Sequence, residues 1–291
     1  MDLNAQRAVV SWSSSLGVNA GLSLAGLIYV RGWVHLRSVY LRVFSGGRLA
    51  AFLAGLGAVW VAIGSPLAAF DDVLLSVHMI QHLLLMSVAP VLILLAAPAL
   101  PLLHGMPQLL ARGVAAPVLR WRVMRGLESF LTQPAVAWLI AAFTLIVWHV
   151  PQIFELALRH ESLHKFEHLT FLLAGLIFWW PVIQPWPSTA RWPRWAIPVY
   201  LFAATLPCDV LSGFLVFCDR VVYTSYLFAP GVFGISPLQD QERAAALMWV
   251  VVTLILMVPA VIVTMQILSP AHAREVSEID SDALRVYEPT R

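Results

Sequence analysis

The feature that most constrains this chain is the recurrence, along nearly its whole length, of apolar stretches of about 20 residues, the length a helix needs to cross a bilayer. A backbone in hydrocarbon must satisfy its own hydrogen bonds, so such a chain folds as a helical bundle. Seven spans are predicted, at residues 18–36, 49–70, 73–97, 134–150, 163–183, 196–217 and 244–268. The expected fold class is therefore all-α, an integral membrane bundle of seven transmembrane helices in one domain, residues 1–270. Residues 271–291, with Glu275, Glu278, Asp280, Asp282 and Glu288, are expected to form a mobile tail. Charged residues make up 12% of the chain, against roughly 25% in soluble domains, which leaves no room for a soluble domain and no case for nucleic acid.

Orientation follows from the arginines. Arg31, Arg37, Arg42 and Arg48 follow the first span, Arg112, Arg120, Arg122 and Arg125 the third, and Arg191 and Arg194 the fifth, so these connections are expected on the cytoplasmic side. The opposite connections hold Asp71, Asp72, Asp219 and Asp240 without a basic excess, which places the N-terminus outside and the C-terminus inside. The serine-rich start lacks the pattern of a cleaved signal. Leu119, Val123, Leu127 and Phe130 recur at helical spacing and suggest a helix lying on the membrane surface. The tryptophans from Trp179 to Trp195, set among prolines, read as an aromatic belt. Membrane lipid is thus an expected neighbour.

Within the third span, His78, His82 and Met86 stand four residues apart and form one stripe of a helix. At 1.5 Å per residue they lie about 7, 13 and 19 Å from the outer end. The same topology brings His149, at the end of the fourth span, and His160, His164 and His168, at the start of the fifth, to that face. Of nine histidines only His35, His104 and His272 fall elsewhere. Neutral imidazole is the commonest metal ligand, and nitrogen with thioether sulfur suits copper, especially Cu(I). Met79, Met86 and Met248 are the available sulfurs.

Any one of these histidines taken alone reads as an interhelical hydrogen-bonding residue. The His78 and His82 pair reverses that reading, since two imidazoles facing one way in hydrocarbon both need partners. His160 reads as a solvated residue, and the methionines as packing, Met86 favoured only by its stripe. Glu167 is either an orienter of a metal-bound histidine or a rim acid. Asp209, after Pro207 in the sixth span, is expected to face the bundle interior and brace a kink. Cys208 and Cys218 form neither a metal-binding pair nor a bridge, and Cys218 has only weak support as an auxiliary copper residue.

The runs His78-Met-Ile-Gln-His82-Leu-Leu-Leu-Met, Trp148-His149-Val-Pro151, Leu163-His164-Lys-Phe-Glu167-His168, Phe178-Trp-Trp-Pro181, Asp240-Gln241 and Met248-Trp249 resemble the multi-spanning CtaG family of cytochrome c oxidase assembly factors. The resemblance runs in order from the third span to the seventh; Ala244-Ala245-Ala246 departs from it where a glycine is expected. It implies a multi-pass protein of the bacterial inner membrane that helps build a haem-copper oxidase by handling copper, a metallochaperone of the respiratory chain rather than an enzyme.

On that reading His78, His82 and His168 are direct copper ligands, and His149, His164 and Met86 are further ligands or relays. Glu167, Met248, Asp240 and Cys218 are auxiliary. The expected partners are an oxidase subunit and an extracytoplasmic copper chaperone. Two rivals stand beside it: a zinc-dependent membrane hydrolase with Glu167 or Asp72 as base, and a haem protein ligated by histidines. Retinal chemistry is disfavoured because the single lysine, Lys165, lies at the outer edge.

Overall fold

The computed structural model describes residues 15–38, 44–111, 113, 122–185, 192–227 and 234–269. The described residues form helices and turns with no strands: α1 (Leu16–Arg37), α2 (Gly46–Ile63), α3 (Leu75–Leu95), α4 (Ala99–Gly105), α5 (Arg122–Leu131), α6 (Pro134–Trp148), α7 (Pro151–Arg159), α8 (Glu161–Ile183), α9 (Ala196–Phe217) and α10 (Pro237–Leu268). Five spans, Gly46–Ala69, α3, α8, α9 and α10, are long and apolar enough to cross a membrane. A sixth exists if α6 and α7, bent by 74° at a short break, count as one. Pro151 produces the break, since it disfavours helix at Val150 and starts α7 afresh. A 22-residue helix, α1, covers the predicted first span, but with Asn19, Arg31, His35 and Arg37 it is not among the helices apolar enough to cross a membrane.

Helix α10 begins seven residues before the predicted seventh span, at Pro237, because Ser236 and Gln239 form a reciprocal cap there. Leu127 and Phe130 on α5 are exposed, as a surface-lying helix requires, while Leu119 and Arg120 lie outside the described residues. The aromatic belt needs correction at one end. Trp179 is buried against Leu201 and Tyr200 in the core, and of the belt residues only Trp195 is strongly exposed; Trp186 and the predicted tail, 271–291, lie outside the described residues.

Helix α3 is the centre of the bundle and packs against α2, α8 and α10. The outward surfaces are apolar: Phe143 on α6 is 68% exposed and Phe217 on α9 is 80% exposed, which in water would be costly and in lipid is not. Ala244 and Ala245, at the point of departure from the family pattern, are buried, and their small side chains let α10 lie close to α3. Closest approach elsewhere is built on glycine. A Cβ at Gly32 of α1 would strike the Pro101 carbonyl of α4, and one at Gly105 would strike the Ile28 carbonyl.

Midway along α3, residues Leu84–Val88 form a wider π-helical turn in which the Ala89 N–H bonds to the Leu84 carbonyl. Pro90 explains it: lacking an N–H, it cannot bond to the Met86 carbonyl, and its ring crowds that oxygen. The displaced carbonyl lies against Gly175 of α8, where a Cβ would stand 2.5 Å from it. Gly175→Ala is therefore expected to push α8 off α3 and destabilise the protein by about 1–3 kcal/mol, as read by thermal unfolding in detergent. An unchanged melting temperature would show that the contact is slack.

Candidate metal centre

Helix α3 has no capping side chain of its own at Leu74, which leaves its first N–H groups unpaired locally. Asp240, arriving from α10, supplies the cap. Its Oδ2 accepts from Leu75 N at 2.6 Å, and its Oδ1 accepts from Ser76 Oγ at 2.6 Å and Ser76 N at 3.4 Å. A carboxylate is favourable at a helix N-terminus. The next residue, Gln241, accepts from Val222 N at 2.7 Å and donates to the Leu215 and Arg220 carbonyls at 3.2 Å. Together the two residues lock α10 to the starts of α3 and of the α9–α10 connection, one turn from His78.

His78 and His82 leave one face of α3 and meet Glu167 of α8. Their Nε2 atoms lie 3.7 and 3.3 Å from Glu167 Oε1, and the two rings sit edge to face with centroids 4.4 Å apart. His78 and Glu167 are 0% exposed. Next to this trio, His164 comes from the preceding turn of α8 and His168 directly follows Glu167, and His164 Nε2 lies 3.9 Å from Asp71 Oδ2. The groups His78, His82, Glu167 and Asp71, His164, His168 each bring three ligand atoms within 4.8 Å of one another, and the His78 and His164 rings stack at 5.2 Å.

Among the described residues, both ring nitrogens of His78 and His82, both oxygens of Glu167, and Nε2 of His164 and His168 are buried without a hydrogen-bond partner. Leaving so many buried polar atoms unpaired is costly, and such a donor set fits a cation bound between them. Gln81 braces the set by donating to the Ala62 carbonyl at 2.8 Å and to Asp71 Oδ2 at 3.2 Å. Asp72, in the turn before α3, has its carboxyl pushed above the usual range by desolvation and then by the adjacent Asp71 charge. Asp71, His164 and His168 line an open cleft of about 900 Å³.

Met86 falls within the π-helical turn that follows His82, and with His82 it lines a chamber of about 70 Å³ whose walls also include Met79, His149, Cys208 and Met248. His149, expected near the surface, is buried: its Nδ1 donates to the Leu145 carbonyl at 2.7 Å and its Nε2 faces Met79 Sδ at 3.4 Å. Tyr223 OH donates to the His149 carbonyl at 3.1 Å.

Glu167 is not a rim acid: it is fully buried and sits among the imidazoles of α3. Asp240 and Cys218 belong to neither three-residue group, Cys218 lying half-buried at the end of α9. Asp209 is only half-buried rather than turned fully inward. His160 is exposed, as expected of a solvated residue. Asp71 is the residue that sequence reasoning missed as a metal-binding candidate. Its one sequence signal is its position seven residues before His78 in an otherwise apolar region.

Comparison with known proteins places this geometry in a family. Uncharacterized proteins of Mycobacterium bovis and Mycobacterium tuberculosis are each 29% identical over 227 residues, 75% of this chain and 34% of theirs. One of Mycobacterium leprae is 27% identical over 212 residues, 72% of this chain and 32% of its own. The chain thus spans about a third of the length of the curated relatives it matches. No solved structure matches. Residues 27–269 match the model of the cytochrome c oxidase caa3 assembly factors, so the chain belongs to the Caa3_CtaG family.

Proposed function

We propose that this chain is a seven-span protein of the bacterial inner membrane, N-terminus outside, which binds copper at the His78–His82–Glu167 cluster and passes it to a haem-copper oxidase subunit during assembly. Asp71, His164 and His168 then form the receiving position at the open cleft, where an extracytoplasmic chaperone delivers the ion. The membership in an oxidase assembly family supports the destination. The observation that carries the metal is the set of buried imidazole and carboxylate atoms without partners. Charge asymmetry among the connections supports the outward orientation, and exchangeable nitrogen and oxygen donors suit transfer better than a closed thiolate cage.

The presence of Glu167 gives one rival specific support. Two imidazoles and a carboxylate are a catalytic zinc donor set, which a membrane hydrolase would use. Metal analysis of protein purified from copper-replete membranes separates the two. Copper is expected, and His78→Ala with His82→Ala should lower its content more than 10-fold and abolish oxidase assembly. Copper-free protein together with intact assembly in the double variant would refute the proposal; zinc in its place would favour the hydrolase.

A further inference from the structure

The chamber behind the cluster has a chemistry of its own. A carbonyl oxygen only accepts, so the 2.7 Å contact with Leu145 makes Nδ1 of His149 the donor. A neutral imidazole in that tautomer carries a bare lone pair at Nε2. That lone pair faces Met79 Sδ, itself an acceptor, at 3.4 Å, so two groups with no hydrogen to share meet in a cavity of mostly apolar lining. Two ligands held about 2.0 Å (nitrogen) and 2.3 Å (sulfur) from one tetrahedral ion stand about 3.5 Å apart, close to the observed separation. Met86, Met248 and Cys208 line the same space, the Cys208 thiol lying against Ser212 Oγ and the Met248 carbonyl. Four sulfur-bearing side chains and two imidazoles, His149 and the shared His82, around about 70 Å³ form a soft environment, in contrast to the nitrogen and oxygen donors next to it.

We propose that His149 and Met79 form a second metal position, for a soft monovalent ion of the Cu(I) class, in the sulfur-lined chamber behind the histidine–carboxylate cluster. It rests on the proposed copper function only for the identity of the ion. His82 belongs to the cluster and also borders the chamber, its ring 5.9 Å from that of His149, so it is the side chain shared by the two positions. The donors are two imidazoles and a carboxylate at Asp71, His164 and His168 and again at His78, His82 and Glu167, and they turn soft at His149 and Met79.

The test uses the full chain in detergent, with Ag(I) as a redox-inert soft probe and Zn(II) as the probe of the cluster. Met79→Leu, which keeps volume but removes sulfur, is expected to weaken Ag(I) binding on the order of 100-fold while leaving Zn(II) binding unchanged. Ag(I) affinity within about twofold of the unaltered protein would overturn the proposal. His78→Ala with Glu167→Gln should remove Zn(II) and spare Ag(I); joint loss would mean a single site and would also overturn it. If the unaltered protein binds Ag(I) through Met79 but takes up no metal at the cluster, this position stands while the cluster reading falls. Should Met79→Leu not fold, X-ray absorption of the Cu(I)-loaded unaltered protein decides, with a sulfur shell at about 2.3 Å expected and a purely nitrogen and oxygen shell overturning the idea.

Discussion

Glu167→Gln is expected to cost metal binding and little else. The side chain is fully buried, both of its oxygens lack hydrogen-bond partners among the described residues, and one of them lies 3.3 Å from His82 and 3.7 Å from His78. Were the carboxylate a structural brace, breaking a buried ion pair by neutralising one partner would destabilise the protein by about 3–5 kcal/mol. Were it a ligand, the metal-free protein carries an uncompensated buried carboxylate, and an amide of the same shape relieves that cost. The expected result is therefore a metal-free melting temperature equal to or above that of the unaltered protein, with metal affinity lower on the order of 100-fold. A large drop in melting temperature with metal affinity unchanged would assign Glu167 to the scaffold instead. Calorimetric titration and thermal unfolding on the same samples give both readings.

Asp240→Ala is expected to show the opposite pattern, stability lost first and metal binding as a consequence. Asp240 is buried and accepts three hydrogen bonds from Leu75 and Ser76, the opening turn of the helix that carries His78 and His82. Charged hydrogen bonds contribute about 1.5–3 kcal/mol each, and their removal leaves buried N–H groups unpaired, so a loss of about 3 kcal/mol or more is expected. Ser76→Ala removes only the hydroxyl's bond to the carboxylate and should cost about 1.5–3 kcal/mol. The metal affinity of Asp240→Ala should fall less than that of Glu167→Gln, because the ligands remain and only their placement loosens. If Asp240→Ala melts like the unaltered protein, α3 does not depend on this cap.

Much of the architecture was legible in the sequence because hydrophobic length is a local property. The helices at 75–95, 161–183 and 196–217 lie close to the spans read from apolar runs. Cap chemistry was harder to place: the start of α10 at Pro237 depends on a reciprocal bond between Ser236 and Gln239, and a hydropathy window passes over it. The four-residue stripe of His78 and His82 survives in the fold, but its next step, to Met86, falls within a π-helical turn next to Pro90 and Gly175. Periodicity assumes a uniform helix, and one proline opposite one glycine on another helix is enough to alter it.

The sequence by itself determined that this chain is a helical bundle of membrane-spanning character and that its histidines gather on one face of α3 and the start of α8. The short runs around those histidines also pointed to the family. Only the tertiary structure decided how the donors divide. Glu167 and Asp71 entered the nitrogen cluster, Asp240 became the cap of a helix far away in sequence, and His149 turned inward to face Met79. Spacing along a helix fixes which side chains share a face, whereas the partner across the interface is set by how neighbouring helices rotate and approach, which small residues such as Gly175, Ala244 and Ala245 control from outside the motifs.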